Sequence, residues 1–576
     1  KGSAAERASA FERLVLETLA AVADGGITPE RVRAAFQQLA YEHREVDSRF
    51  PLKLLDWVCM AWPHGGDPLL YLRMGEHLNA ARARYAADPG RYARLIRAGL
   101  LENPHRLRLV LRPDPQLQAR QEAEFARRMA ERRSALSPEQ VAAIARAAAA
   151  LEAAQSVPNP PEALAKLPQL TVRDLPPVPR RIPTTSGILG GIEVLRNDVF
   201  ANGVNYLEID IDLAGLPPAL RPALPRFCDA VSKMGAAGQS YERIAEREAA
   251  CTGGLACTLP VHGPVAPPAR DALHLRFGLK TLDEQAAEAL DLLADVIFGV
   301  DPRDRPRLRD VLTQAQAYYR TALVSDGLNT AVHRAARGIT PEAAAAYEYH
   351  GPEIYRDVTA RLKAFETAAE PLMREIETIR DFLRNRRRWT VSFTGSDEVF
   401  RRLETALSAW SSRLTDAPLA AAAPPAAAAP PLEGLTAPIP IAYCVKLFPA
   451  PPLSDPQAPL FHLGSYLANF DYLLPEIRLK GNAYGSGSVY NDALGIFYLF
   501  SYRDPRLVET LEVFDGLRDF VLHAPWSQTD IDRAIIGSAK SVERPLRPAE
   551  ANSLALVRHL RGDRDELREE RRGKNT

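Results

Sequence analysis

One glycine-rich stretch, LLPEIRLKGNAYGSGSVYNDALGIFYLFSYRDP, combines residue types that could bind a peptide. Arg478 precedes the glycines and Tyr484 lies among them, and both side chains carry donors for a peptide carbonyl or a developing oxyanion. The glycines that would allow a ligand or a neighbouring backbone to approach closely are Gly481, Gly485 and Gly487. The alternative interpretation is a glycine-rich bulge beside a tyrosine of the core.

Metal and nucleophile motifs are absent from the sequence. None of its 11 histidines forms H-x-x-x-H or H-x-x-E-H, the spacings that bring two imidazoles to one helix face for zinc. His350 and Glu353 come nearest, but Gly351 and Pro352 between them would break the helix that such a site requires. There is no phosphate-binding loop and no G-x-S-x-G nucleophile elbow either. We therefore predict that this chain binds no metal.

Composition excludes few classes of protein. The 576 residues predict several domains, and the balance of 72 basic against 72 acidic residues gives no general field for nucleic acid or an anionic membrane. Five cysteines without a C-x-x-C spacing indicate neither a disulfide framework nor a zinc ribbon. No apolar run is long enough to span a membrane. We expect a cytoplasmic protein that binds neither nucleic acid nor membrane.

Three segments share one plan of two amphipathic helices separated by a short capped break. They comprise residues 11–39, 281–316 and 504–538. Strand-forming residues precede the second and third copies, at 273–279 and 495–502. Each helical pair is therefore expected to cover a sheet.

Closing strands are predicted at residues 104–115 and 386–398, and NYLEIDIDL at 205–213 alternates apolar and acidic residues as a strand with one buried and one wet face. The charged run RGDRDELREERRGKNT at the end of the sequence is typical of a solvated helix or tail. Together these patterns predict an α+β fold with repeated layer-sandwich domains, each an antiparallel-rich sheet covered by helices.

Two proline-rich passages punctuate the chain, at 156–183 and at 416–434. Between 114 and 155 the sequence favours two long helices, the second beginning with a Ser137 cap and Gln140 in a capping box. A charged solvated spacer is the alternative.

The pattern R-L-K-G-N-A-Y-G-S-G resembles the R-x-x-G-x-A-Y-G element of presequence proteases, a branch of the insulinase (pitrilysin) zinc metallopeptidases. The SYRDPRLVETLEVFDG that follows and the helical hairpin resemble this family too. The resemblance implies that Arg478 and Tyr484 reach across a closed chamber to a zinc site in another domain, hold the substrate and stabilise the tetrahedral intermediate.

The resemblance also implies a division of the chain. It assigns 1–113 to the later part of a second domain, 114–170 to the hairpin, 180–415 to a third, non-catalytic domain, 416–436 to a linker and 437–576 to an incomplete fourth domain. In the third domain Phe227 and Cys228, within LPRFCDAVSKMG, stand where a catalytic copy needs polar ligands.

Two functions are compatible with this resemblance. The chain is either the C-terminal half of a zinc endopeptidase that degrades unstructured peptides, or a natural non-catalytic subunit that binds peptides and pairs with a separate zinc-bearing chain. In both cases zinc belongs to the complete enzyme, and this chain is expected to be inactive alone.

Overall fold

The computed structural model describes residues 4–157, 159–168, 170–267, 273–420, 425–426, 428 and 432–575. Most of the alanine- and proline-rich part of the predicted linker, at 421–424, 427 and 429–431, lies outside the described residues. Internal contacts divide the chain into two units, one formed by 1–28 with 83–170 and the other by 29–82 with 171–576. The domain boundaries implied by the resemblance stay a prediction.

Helices dominate the described residues. In chain order they are α1 (Ala8–Gly25), α2 (Pro29–Arg44), α3 (Phe50–Ala61), α4 (Met74–Ala87), α5 (Arg91–Ile96), α6 (Leu117–Ser134), α7 (Pro138–Ser156), α8 (Pro161–Leu164), α9 (Leu224–Val231), α10 (Tyr241–Cys251), α11 (Ala286–Gly299), α12 (Arg305–Ser325), α13 (Gly327–Ala336), α14 (Pro341–His350), α15 (Glu353–Lys363), α16 (Phe365–Phe382), α17 (Asp397–Ser411), α18 (Ala458–Ala468), α19 (Val508–His523), α20 (Gln528–Glu543), α21 (Pro548–Arg561) and α22 (Asp565–Asn575). Within the same described residues, the stretches Arg97–Leu101 and Asn469–Lys480 are π-helical.

The strands found in the described residues form three sheets. They are β1 (Thr184–Leu189), β2 (Ile192–Asn197), β3 (Val204–Asp212), β4 (Gly235–Ala236), β5 (Gly254–Thr258), β6 (His274–Leu282), β7 (Val300–Asp301), β8 (Trp389–Thr394), β9 (Val445–Pro449), β10 (Gly485–Asn491) and β11 (Ile496–Tyr502). The largest sheet has the order β1-β2-β8-β3-β6-β5, the next β10-β11-β9, and the smallest β4-β7. Every pairing is antiparallel except β2 with β8. The predicted α+β class with antiparallel-rich sheets is confirmed.

Helices form in all three repeated segments. They are α1 and α2 in the first, which belong to different units, α11 and α12 in the second, and α19 and α20 in the third, and β6 and β11 precede the second and third segments. In the third segment Ser527 is the cap, and it forms a capping box with Asp530. The Ser137 and Gln140 capping box of α7 is also present.

In the first unit, helices α6 and α7 form as predicted but remain exposed along their described lengths. The closing strand predicted at 104–115 is wrong. This segment has no strand partner among the described residues of the unit, and Leu107 is 90% exposed and Leu111 86%. Alternating apolar residues form a strand only when a neighbouring strand takes up their backbone hydrogen bonds.

In the second unit, one face of the six-stranded sheet packs against an apolar layer. Leu207, Ile209 and Ile211 of β3 belong to a core that also contains buried residues of α9, α11, α16 and α17. In register, Ile209 lies opposite Phe277 of β6 and Val391 of β8. The core therefore sits between the sheet and these helices.

The other face of β3 is buried as well, so the wet face predicted for this strand is wrong. Asp210 is 1% exposed and Asp212 5%. Helix α21 packs against β2, β3 and β8 on this side, with Leu556 and Leu560 against Leu195 of β2. The alternation of apolar and acidic residues identified the strand correctly. It could not indicate that α21, which comes much later in the sequence, covers the acidic face.

Several polar groups on this second face have partners, although the buried Oγ1 of Thr390 and Nδ2 of Asn552 form no hydrogen bond within the described part of the chain. Asp210 lies 2.6 Å from the Nδ1 of His274 and accepts a 2.9 Å hydrogen bond from Arg276. The Oδ1 of Asn552, on α21, accepts hydrogen bonds from Ser392 and Thr394 at 3.1 and 3.0 Å. Satisfied hydrogen bonds offset the desolvation cost of burying such groups.

The charged run at the end of the sequence forms α22 and is packed rather than solvated, which corrects the expectation. Arg568 and Arg572 are 6% and 7% exposed. Arg568 donates a 2.8 Å hydrogen bond to the backbone carbonyl of Arg180, and Arg572 pairs with Glu543 at 2.7 Å. Arginine can be buried in this way because its guanidinium donates in several directions.

The buried Asp210–His274 pair makes stability depend on pH. Burial alone would raise the pKa of Asp210, but His274 and Arg276 hold that pKa below its ordinary value. Burial would lower the pKa of His274, but Asp210 holds that pKa above its ordinary value. The carboxylate therefore stabilises the fold above its unfolded-state pKa, and the imidazolium does so below its own unfolded-state pKa.

We predict that the contribution of His274 to the free energy of unfolding is lost as the pH rises above about 6.5, through the raised pKa of the folded state. In His274→Gln this alkaline loss should be smaller, as measured by urea unfolding between about pH 6 and about pH 9. His559→Gln is the control, because His559 pairs with Glu193 at a partly exposed site where an ion pair contributes little. An unchanged pH profile in His274→Gln would contradict the prediction.

Candidate functional site

The residues of the glycine-rich motif lie at the junction of a π-helical stretch and a β-hairpin. The stretch Asn469–Lys480 ends with the backbone N–H of Gly481 donating to the carbonyl of Arg478. Asn482 then adopts a left-handed conformation with φ of 63°, and β10 begins at Gly485. π-Helical geometry is rare and is frequently found at functional sites.

Side-chain hydrogen bonds attach the π-helical stretch to β10. Asn469 donates to the carbonyl of Ser488 at 3.2 Å, and Ser465 donates to the same carbonyl at 2.9 Å. Ser486 donates to the carbonyl of Leu473 at 3.0 Å. A small apolar cluster lies beneath them, with the buried residues Ile477, Ala483, Leu499 and Phe514. The motif is thus built on a packed scaffold.

The turn of the hairpin β10–β11, at the end away from the motif, is also held by hydrogen bonds and an ion pair. Thr340 donates a 2.7 Å hydrogen bond to the carbonyl of Leu494, and the N–H of Gly263 donates to the carbonyl of Ala493 at 2.9 Å. Arg561, at the end of α21, pairs with Asp492 in the same turn. The strand that starts at the motif is therefore held at both ends.

Arg478 and Tyr484 lie on the surface of this scaffold. Arg478 is exposed although its neighbour Ile477 is 1% exposed, and Tyr484 is 68% exposed. Neither side chain forms a hydrogen bond or an ion pair within the described part of the chain. Tyr484 is thus not the core tyrosine of the alternative interpretation, and both polar groups are accessible to a ligand.

Tyr484 belongs to a group of aromatic rings that sequence reasoning did not assemble. Its ring centroid lies 5.9 Å from that of Tyr502, which lies 5.4 Å from that of Tyr443. The guanidinium carbon of Arg503 lies 5.9 Å from the centroid of Tyr484 and 5.4 Å from that of Tyr502. These distances suit cation–π contact. Tyr443 could not be assigned from sequence, because only pairing of β9 with β11 brings it near.

The three glycines differ in what their neighbours require. A Cβ on Gly481 would lie 3.0 Å from the carbonyl carbon of Ile477 and closer still to its oxygen, so this position needs glycine for packing. A Cβ on Gly487 would lie 3.1 Å from the ring of Phe500, whereas one on Gly485 would meet nothing closer than 3.7 Å. Packing therefore requires glycine at 481 but does not explain why residue 485 is a glycine. The predicted substrate contacts of all three remain predictions.

His350, the nearest sequence match to a metal motif, lies beside a cavity of about 260 Å³ that His333 also lines. The two imidazole centroids are 5.6 Å apart, and burial lowers the pKa of His333 to about 4. Among the described residues, no group of three or more His, Cys, Asp and Glu side chains is arranged to hold a metal ion. The described residues therefore do not fit a zinc site, and the zinc that the resemblance implies belongs to another domain.

Helix α9 carries the segment predicted as a non-catalytic counterpart of a zinc helix. Phe227 is fully buried in the core. The thiol of Cys228 lies 3.3 Å from that of Cys257 on β5, and all five cysteines are free. Phe227 and Cys228 thus make packing contacts, while Arg226 of the same helix is buried in an ion pair of 3.0 Å with Glu375.

Comparison with known protein families finds two matches in this chain. The family model for the segment associated with M16 peptidases of subfamily C matches residues 111–359, and the PreP C-terminal domain model matches residues 457–575. The second match includes the whole glycine-rich motif. No helix within the described residues is long and apolar enough to cross a membrane.

Curated relatives match nearly the whole chain. Presequence protease 1, chloroplastic/mitochondrial, of Arabidopsis thaliana is 26% identical over 99% of this chain and 53% of its own length. Protein HypA of Clostridium perfringens is 22% identical over 96% of this chain and 56% of its own length. The mitochondrial presequence protease of Mus musculus is 24% identical over 99% of this chain and 57% of its own length. The chain therefore spans little more than half the length of these relatives.

Among solved structures, the peptidase M16 inactive domain from Pseudomonas fluorescens is 17% identical and covers 68% of this chain and 91% of its own, with a TM-score of 0.46. The names of the plant and mouse relatives place them in organelles, so a cytoplasmic setting for this chain stays a prediction. Two family models and relatives aligned along almost the entire sequence lead to one assignment. The resemblance to the presequence protease branch of the M16 peptidases is therefore confirmed: relatives from that branch align along almost the whole chain, and the model of the PreP C-terminal domain matches its last part.

Proposed function

We propose that this chain forms one wall of a peptide-degrading chamber and supplies Arg478 and Tyr484 to the reaction. The observation that carries the proposal is that both side chains are exposed on a rigid scaffold and have no hydrogen-bond partner within the described part of the chain. A polar group held in this way can bind a ligand without first breaking an internal bond. Similarity to presequence proteases makes a peptide the natural ligand.

In this proposal the guanidinium of Arg478 and the hydroxyl of Tyr484 donate hydrogen bonds to peptide oxygens. The hydroxyl of Tyr484 would bind the oxyanion that develops on the scissile carbonyl, where a preorganised donor lowers the barrier most. The zinc of the family would be bound by protein outside this chain, either by an N-terminal part of the same polypeptide or by a partner chain. Unstructured peptides are the expected substrates, because a closed chamber admits a flexible chain more readily than a folded domain.

We predict that Tyr484→Phe, in protein that also contains the zinc-bearing domain, lowers kcat by roughly a hundredfold and changes KM little, as loss of one oxyanion donor does. Turnover of an unstructured fluorogenic peptide is the measurement. Tyr318→Phe is the matched control, because Tyr318 is 67% exposed, almost as much as Tyr484, but its ring lies 5.4 Å from that of Tyr319 on α12 and not beside the rings of the motif. Equal turnover in Tyr484→Phe and wild type would remove the assigned role.

The glycines provide a second test. Gly481→Ala should lower the free energy of unfolding by roughly 1–3 kcal/mol, because its Cβ meets rigid backbone. Gly485→Ala should change it by less than about 0.5 kcal/mol. Urea unfolding measures both. A loss of peptide turnover in Gly485→Ala at unchanged stability would support its predicted substrate contact, and equal destabilisation by the two substitutions would contradict the packing argument.

The purified chain alone should contain no stoichiometric zinc and should not cleave an unstructured fluorogenic peptide, with or without chelator. Elemental analysis and a fluorescence assay check this. Stoichiometric zinc with chelator-sensitive cleavage would overturn the proposal. The reading frame upstream of Lys1 separates the two candidate architectures: an open frame carrying H-x-x-E-H favours a single enzyme, and a start codon near Lys1 beside a gene encoding the motif favours a subunit.

A further inference from the structure

Arg503 has a backbone conformation that an arginine rarely adopts. It follows β11 directly and has φ of 49°. In this left-handed region the backbone conformation of an L residue other than glycine costs about 1–2 kcal/mol. The residues other than glycine with positive φ within the described part of the chain are Asn202, Ala237, Asn482 and Arg503. Two of them, Asn482 and Arg503, lie on either side of the hairpin base that carries Tyr484.

The backbone around Arg503 is held in this conformation by its neighbours. The N–H of Asp504 donates a 2.9 Å hydrogen bond to the carbonyl of Ala442, and the carbonyl of Asp504 accepts one of 2.7 Å from the N–H of Ala442. The carboxylate of Asp504, 1% exposed, accepts 2.7 Å and 2.9 Å hydrogen bonds from the Thr510 hydroxyl and the Arg506 N–H. Strain that the surrounding structure enforces in this way is concentrated at functional sites.

The left-handed backbone of Arg503 directs its side chain toward two tyrosine rings. The guanidinium lies over the rings of Tyr484 and Tyr502, and the nearby phenols of Tyr502 and Tyr443 raise the pKa of Arg503. The backbone carbonyl of Arg503 also accepts a 3.4 Å hydrogen bond from the N–H of Tyr484. Arg503 thus contacts Tyr484 through both its main chain and its side chain.

Tyr443 fixes the base of this group of rings. Its hydroxyl donates a 3.1 Å hydrogen bond to the carbonyl of Val324 in α12, and its ring lies so close to Gly327 that a Cβ there would overlap it. From Tyr443 the rings follow in the order Tyr443, Tyr502, Tyr484; the first two are half-buried and the last is 68% exposed. The guanidinium carbon of Arg503 lies 5.9 Å from the centroid of this exposed ring.

We propose that Arg503 is a positioning residue for Tyr484: its guanidinium, placed over the Tyr484 and Tyr502 rings, restricts the exposed phenol to the orientation in which it meets the peptide. The catalytic consequence rests on the function proposed above, but the restriction of the ring does not. An aromatic side chain with little packing around it otherwise samples several rotamers. A cation above the ring lowers the energy of the orientation that faces it.

The direct test places 3-fluorotyrosine at position 484 and follows its ¹⁹F resonance in the purified chain. In Arg503→Gln the resonance should move toward that of the free amino acid and become narrower, because the ring gains mobility. Arg506→Gln removes an equal charge three residues away, where no tyrosine ring is stacked within the described part of the chain, and should leave the resonance in place. An unchanged resonance in Arg503→Gln, or an equal shift in Arg506→Gln, would overturn the proposal.

Enzymatic and stability measurements separate positioning from a purely structural role. With the zinc-bearing domain present, Arg503→Gln should lower kcat by roughly tenfold, the effect of a misplaced reacting group, and Arg503→Lys should recover most of it. Arg503→Gly, which relieves the left-handed strain, should unfold at a temperature no lower than wild type. Ala237→Gly is the control, because it relieves a left-handed backbone at another position, where φ is 51°. A clearly lower unfolding temperature in Arg503→Gly would mean that the side chain serves the fold rather than Tyr484.

The two proposals can fail independently. If Tyr484→Phe leaves turnover unchanged while Arg503→Gln still shifts the resonance, positioning stands and the catalytic role of Tyr484 falls. If Tyr484→Phe lowers turnover while Arg503→Gln changes neither the resonance nor kcat, the catalytic role stands and positioning is wrong.

Discussion

The central strands of the six-stranded sheet in the second unit are buried on both faces, and pairing between the charges and amides on the polar face offsets part of the cost of burying it. Asp210 is held by His274 and Arg276, and the side chain of Asn552 connects α21 to β8. Removing one member of such a set leaves the others desolvated and unpaired, which costs far more than an exposed ion pair contributes. The position of α21 is therefore specified by hydrogen bonding as well as by its leucines.

The candidate site depends on that placement. Arg561 at the end of α21 pairs with Asp492 in the turn of the β10–β11 hairpin, and the same turn is bonded to Thr340 and Gly263. The hairpin is thus attached to the large sheet at one end while Tyr484 is exposed at the other. A side chain displayed from a strand fixed in this way is placed more accurately than one on a free loop.

Around Tyr484 the molecule tolerates two departures from ordinary backbone geometry, the π-helical stretch before the motif and the left-handed Asn482 and Arg503 beside it. Both bring polar side chains to the surface over a cluster that is otherwise apolar, with buried residues such as Ile477 and Leu499 beneath. Such local exceptions, inside a fold whose other elements follow ordinary rules, are expected where function rather than stability has selected the residues.

Local sequence determined the elements of this protein and the location of its motif. Helical periodicity, the caps at Ser137 and Ser527, and the β-branched and aromatic runs of β6, β8 and β11 are local properties, so they were predictable. Burial of Asp210, the packing of α22 and the lack of a strand partner for 104–115 among the described residues depend on distant parts of the chain, as does the approach of Tyr443 to the rings beside Tyr484. Only the tertiary structure decided these, because whether a polar face is wet, or an extended segment is paired, is a property of its neighbours rather than of its own sequence.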